Sequence, residues 1–185
     1  MTTFLMPRRH YRTGAQNAWT RLSLAMALLA ACPAWAGCSV SSSGLSFGLY
    51  QPMTFAGQLT SADVLSTGTI SISCNNMPSP GSYTLALGAS ANSAGAGASD
   101  GISTRYLANS NGGANMVFNV YTDARRSIVW GNGNIGALVS GSLPIVTLGS
   151  YTDNVTVYGK IPAGQNTLKG GIFSGSVTVT LTYNP

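Results

Sequence analysis

Val177, Val179, Leu181 and Tyr183 alternate with Thr178, Thr180 and Thr182 along the last stretch of the chain. That period of two puts apolar groups on one face of a β-strand and hydroxyls on the other. As the sequence stands, neither a turn nor a further strand follows, so this strand's neighbours come from earlier in the chain or from another molecule. The same alternation recurs in Thr69-Ile-Ser-Ile-Ser-Cys74 and in Tyr83-Thr-Leu-Ala-Leu-Gly88. Residues 115–122 read as a buried strand, joined through residues 123–126 to Ser127-Ile-Val-Trp130; residues 151–160 and material between 38 and 55 complete the strands. Short runs broken by Gly, Asn, Ser and Pro predict a β-sandwich or barrel. The one helical turn expected is Ser61-Ala-Asp-Val-Leu65, and the small-residue stretch from Gly88 to Thr104 is expected to be a flexible surface loop.

The front of the chain has a different pattern. Arg8, Arg9, Arg12 and Arg21 precede an apolar run over residues 22–31, and Pro33-Ala-Trp-Ala36 follows. A basic region, an apolar core and a small-residue Ala-x-Ala site predict a secretory signal peptide over residues 1–36, cleaved before Gly37, with one domain over 37–185. The apolar run is too short to span a bilayer, and no transmembrane segment is expected after cleavage. Leu29-Ala-Ala-Cys32 also matches the signature of a lipid-modified cysteine, so cleavage at Cys32 stays open.

Cleavage after Ala36 changes the charge picture. Arg105, Arg125, Arg126, Lys160 and Lys169 remain against Asp63, Asp100, Asp123 and Asp153, so the net charge falls from +5 to about +1. The basic stripe a nucleic acid requires is gone. Cys38 and Cys74 are the cysteines left, and an even pair in an exported chain predicts a disulfide. Closing that loop is worth roughly 4 kcal/mol in the chain-entropy model. Two thiols without His or Glu do not make a metal site, and no metal is expected.

No catalytic residue is assigned. Residues 37–185 lack His and Glu, which excludes Ser–His–Asp and Cys–His chemistry. The four Asp stand in turn-like contexts, where Asx turns account for them. Lys160 and Lys169 are not in an S-x-x-K frame. Gly131-Asn-Gly-Asn-Ile-Gly136 matches a dinucleotide fingerprint, yet Gly141 and Pro144 prevent the helix such a site needs, so a loop with positive-φ glycines is expected and no cofactor. Asp123 with Arg125 or Arg126 reads as a surface salt bridge at a loop corner or a partner contact, and the isolated Arg105 likewise, with no function assigned to any of them. Asn154-Val-Thr156 is a glycosylation sequon by pattern alone.

Residues 121–133 (Tyr-Thr-Asp-Ala-Arg-Arg-Ser-Ile-Val-Trp-Gly-Asn-Gly), residues 157–165 (Val-Tyr-Gly-Lys-Ile-Pro-Ala-Gly-Gln) and the closing Val177-Thr-Val-Thr-Leu-Thr-Tyr183 resemble the spore coat protein U domain. That domain occurs in secreted bacterial proteins and in subunits of archaic chaperone–usher pili. The resemblance implies an immunoglobulin-like sandwich lacking its last strand, handled by a periplasmic chaperone and an outer-membrane usher and completed by a neighbouring pilus subunit. It implies a groove beside Val177, Val179, Leu181 and Tyr183 for the incoming strand. Only Gly37 would precede Cys38 after cleavage, which implies a subunit that accepts a strand without donating one. A self-complete secreted surface or matrix protein, binding carbohydrate or surfaces, is the alternative.

Overall fold

The computed structural model describes residues 37–51, 61–93 and 100–185. Residues 1–36, with the expected signal peptide, lie outside the described residues. Among the described residues there are nine strands: β1 Gly37–Ser42, β2 Val64–Met77, β3 Gly81–Ser90, β4 Arg105–Asn109, β5 Met116–Tyr121, β6 Val139–Leu143, β7 Val146–Ile161, β8 Phe173–Ser174 and β9 Val177–Asn184. They form a six-stranded sheet in the order β1-β2-β7-β5-β4-β8 and a three-stranded sheet in the order β6-β3-β9, with every strand pair antiparallel. The fold is an immunoglobulin-like, all-β sandwich.

Alternation explains why these segments pair. In β2, Ile70, Ile72 and Cys74 are buried while Ser71 and Ser73 between them are not. In β3, Tyr83, Leu85 and Leu87 point the same way. These two rows, with Phe118 and Val120 of β5, Val157 and Ile161 of β7 and Leu143 of β6, enclose one core between the sheets. Trp130 lies wholly inside it and donates its indole Nε1–H to the Leu85 carbonyl at 3.2 Å. Cys38 and Cys74 face each other in register and are disulfide-bonded, which fastens the edge strand β1 to β2.

Four expectations need correction. Residues 61–65 form no helical turn; β2 begins at Val64, because Val64 and the residues after it pair with β7 from Ile161 onward. Ser127–Trp130 is not a strand: its pairing is limited to isolated bridges, Tyr121 with Val129 and Trp130 with Ala137. The stretch from Gly88 to Thr104 is not all surface loop, since Gly88–Ser90 belongs to β3 and Ile102 is buried. Residues 94–99 within it lie outside the described residues. Arg105 is no surface charge; it is among the most deeply buried side chains.

The loop at Gly131–Gly136 behaves as its glycines require. Gly133 and Gly136 take positive φ angles of 89° and 72°. The Asn132 side-chain oxygen accepts from the amides of Asn134 and Ile135, and a Cβ on Gly131 would run into the Ile135 carbonyl.

Candidate functional site

β9 forms an edge of the smaller sheet, paired with β3 on one side and with no described strand on the other. Beside it runs an apolar cleft of about 850 Å³. Leu87 of β3 and Val177 and Val179 of β9 contribute one wall. Leu107, Met116, Phe118, Val120, Val157 and Ile161 of the larger sheet contribute the other. The segments 42–50 and 168–176 frame its mouth.

The strap that follows β1 is built from alternating residues. Leu45 and Phe47 are half-buried against the core, whereas Leu49 is 87% exposed. Leu45 and Phe47 rest over Gly159, where a Cβ would come within 2.9 Å and 2.7 Å of their outermost carbons. Phe47 also meets Phe118 edge-on, with ring centroids 6.1 Å apart. Tyr50 closes the strap's far end by donating its hydroxyl to the Pro162 carbonyl and accepting from the Gln165 amide, both at 3.0 Å. Among the described residues, 45–51 makes no backbone–backbone hydrogen bond. Gly44 and Gly48, at φ 73° and 68°, supply the bends.

The four residues expected at the groove separate into two pairs. Val177 and Val179 line the cleft. Leu181 and Tyr183 lie on the same face of β9 and pack on the core opposite Leu85 and Tyr83, beyond the cleft walls. The strap residues Leu45, Phe47 and Tyr50 were not expected at the site. Their signal was the spacing Leu45, Phe47, Leu49, a short strand-like alternation preceded by Ser42-Ser-Gly44 and interrupted by Gly48.

Among the described residues Lys169 borders the cleft, in the segment at its mouth, and the other charged groups stand apart from it. Lys160 and Asp63 form an ion pair of 2.6 Å at the outer surface, and that bond holds the Asp63 carboxyl below its ordinary value, helped by the Ala163 amide. Asp123 does not pair with Arg125 or Arg126. Its carboxylate instead accepts from the amides of Ser127 and Ile128. These bonds, that of Ile128 foremost, lower its pKa. Arg126 donates to the carbonyls of Gly159 and Ala124 and lies 5.7 Å from the Tyr158 ring. Among the described residues no three His, Cys, Asp or Glu side chains gather as a metal site would require.

An immunoglobulin-like, all-β sandwich with an apolar cleft along an edge strand defines the class of protein. Within that class, the family model of the Spore Coat Protein U domain matches residues 24–180, and the chain belongs to that family. It is 30% identical over 151 residues to Protein U of Myxococcus xanthus, an alignment covering 79% of this chain and 77% of that one. A chain from a solved chaperone–tip adhesin complex of CFA/I fimbriae biogenesis aligns with 80% of this chain at 10% identity and a TM-score of 0.35. This chain spans 42% of that longer one, and a superposition so loose adds nothing to the assignment.

Proposed function

We propose that this protein is an exported structural subunit of an adhesive fibre, completed by a β-strand from another molecule. Export follows from residues 1–36 acting as a signal peptide, and residues 37–185 are the working domain. A periplasmic chaperone holds the domain in transit, an outer-membrane usher passes it on, and a neighbouring subunit's strand replaces the chaperone's at the cell surface. With little chain ahead of Cys38 after cleavage, the subunit accepts a strand and does not donate one, which suits a terminal or minor place in the fibre.

One observation carries this reading: β9 presents an edge beside a large apolar cleft between the sheets. An exposed edge with an apolar lining is a liability in an isolated domain and an asset in one that takes up a strand. The incoming backbone would bond to the β9 edge while alternate side chains enter between Val179 and Phe118. Expression of residues 37–185 with and without a chaperone gene from the same operon tests it. The expected result is an aggregating chain alone and a soluble one-to-one complex with the chaperone. A stable monomer that gains nothing from the chaperone would overturn it.

A further inference from the structure

Arg105 lies on β4 with its side chain at 0% exposure, and none of its hydrogen-bond partners is a carboxylate. Its Nε and Nη2 both donate to the Gly88 carbonyl, at 3.1 and 2.8 Å. Nη2 also donates to the carbonyls of Leu87 at 3.3 Å and Trp130 at 2.9 Å. Nη1 donates to Oδ1 of Asn119 on β5 at 2.6 Å. Asn119 is itself held, its amide nitrogen donating to the carbonyls of Ile102 and Ser103. A strand of the larger sheet is thereby bonded to β3 of the smaller one. Burying a guanidinium is costly unless its donors are met, and every nitrogen here has an acceptor.

The place where this fork lands is distinctive. Leu87 opposes Val179 and Ser90 opposes Val177, so Gly88 and Ala89 of β3 stand against the single residue Thr178 of β9. A bulge of this kind re-aims the side chains around it and interrupts the ladder. Arg105 bonds to the carbonyl of Gly88 in that bulge and to that of Leu87 just before it. Leu87, Val177 and Val179 line one wall of the cleft, and Leu107, two residues beyond Arg105 on the same face of β4, lines the other.

We propose that Arg105 is a positioning residue for the cleft, a planar strut between β4 and the β3 bulge that sets the gap between the walls and aims Val177 and Val179 into it. The proposal rests on the reading of the cleft as a strand acceptor. A lysine cannot replace this residue, because one ammonium point charge does not reproduce a rigid fork of donors. Asn119 fixes the strut's other side and acts in the same sense.

Hydrogen–deuterium exchange on the folded domain tests it, comparing segment 177–179 with segment 70–72, which is also core-facing but belongs to the β2–β7 ladder. In Arg105→Lys, exchange at 177–179 is expected to rise about tenfold while 70–72 changes less than about twofold. Titration with bis-ANS, an apolar dye, is expected to show a changed affinity in the same variant. Equal loosening of both segments would make Arg105 an ordinary stabilising residue and overturn the proposal, as would no change at 177–179. Should Arg105→Lys fail to fold, Asn119→Ser removes a single brace, and the same contrast between segments decides in the same way. Chaperone capture of the unaltered domain is measured separately, so that a failure of the strand-acceptor reading shows there and not in the exchange contrast.

Discussion

The hydroxyl of Tyr83 on β3 donates to Oδ2 of Asp153 on β7 at 2.6 Å, joining the two sheets near the end where the disulfide lies. Tyr83 is almost wholly buried, and its ring covers Gly141, where any added Cβ would collide with it. Tyr83→Phe is expected to cost about 1.5–3 kcal/mol, the range for a hydrogen bond to a charged acceptor. Urea unfolding measures it, and an unchanged midpoint would remove the cross-sheet bond from the list of stabilising contacts.

The same residue sets an alkaline limit. Desolvation first, and the Asp153 carboxylate second, raise the Tyr83 pKa well above its ordinary value of 10.0. Raised in the folded state, the group contributes stability that is fully present below pH 10 and declines as pH rises past it, because the unfolded tyrosine ionises first. Stability is therefore expected to fall above about pH 10 in the native protein and less steeply in Tyr83→Phe. Unfolding curves between neutral and alkaline pH check this.

The acid side has the opposite sign. Asp63, Asp100 and Asp123 all have lowered pKa values, held respectively by Lys160, by the hydroxyl of Ser103 with nearby amides, and by the amides of Ile128 and Ser127 with the Ser127 hydroxyl. Their contribution is present above the ordinary value of 3.8 and is lost as pH falls through the lower folded values. Asp63 is exposed and Asp100 and Asp123 keep access to solvent, so each change should be small; unfolding measured from neutral pH downward should show the decline confined below about pH 4.

Reducing the Cys38–Cys74 bond, or replacing both residues by Ser, is expected to cost about 4 kcal/mol, the chain-entropy value for a loop spanning 36 positions. β1 is an edge strand whose sheet partner is β2, so its loss would also free the strap that walls the cleft. Thermal melting with and without reductant gives the magnitude.

Val179→Asp and Leu181→Asp should part company. Val179 lines the cleft, so a charge there is expected to abolish chaperone capture while leaving a folded sandwich. Leu181 packs on the core opposite Leu85, away from the cleft walls, and its substitution is expected to destabilise the domain by at least about 2 kcal/mol. Pull-down with the chaperone alongside circular dichroism separates the outcomes; equal loss of capture with both domains folded would extend the groove to Leu181.

Much of the sandwich was legible because hydrophobic period and sheet face are the same fact. Ile70, Ile72, Leu85 and Leu87 had to face inward once their runs were strands. β4 escaped notice because its inward positions are Arg105, Leu107 and Asn109, two of them polar, which inverts the usual signal. β6 escaped because Gly141 takes the central inward position to make room for the Tyr83 ring, leaving too little apolar pattern to count. Residues 61–65 looked helical only locally; pairing of Val64 with Ile161, far along the chain, overrode that preference. Within the candidate site, alternation put Val177 and Val179 on one strand face and only the family resemblance put them at a groove, whereas Leu45 and Phe47 were not assigned to it, since Gly44 and Gly48 interrupt their short alternation.

By itself the sequence determined the strand-forming runs, the all-β class, the cysteine pair and the absence of His and Glu from residues 37–185, since each depends on residue type and local spacing. Only the tertiary structure decided that β9 borders the smaller sheet, that a cleft opens between Val179 and Phe118, and that Arg105 is a buried strut. Those outcomes depend on which distant strands meet and on where a long side chain finds its acceptors. An arginine flanked by polar residues looks solvent-exposed until the carbonyls of Leu87, Gly88 and Trp130 are brought around it.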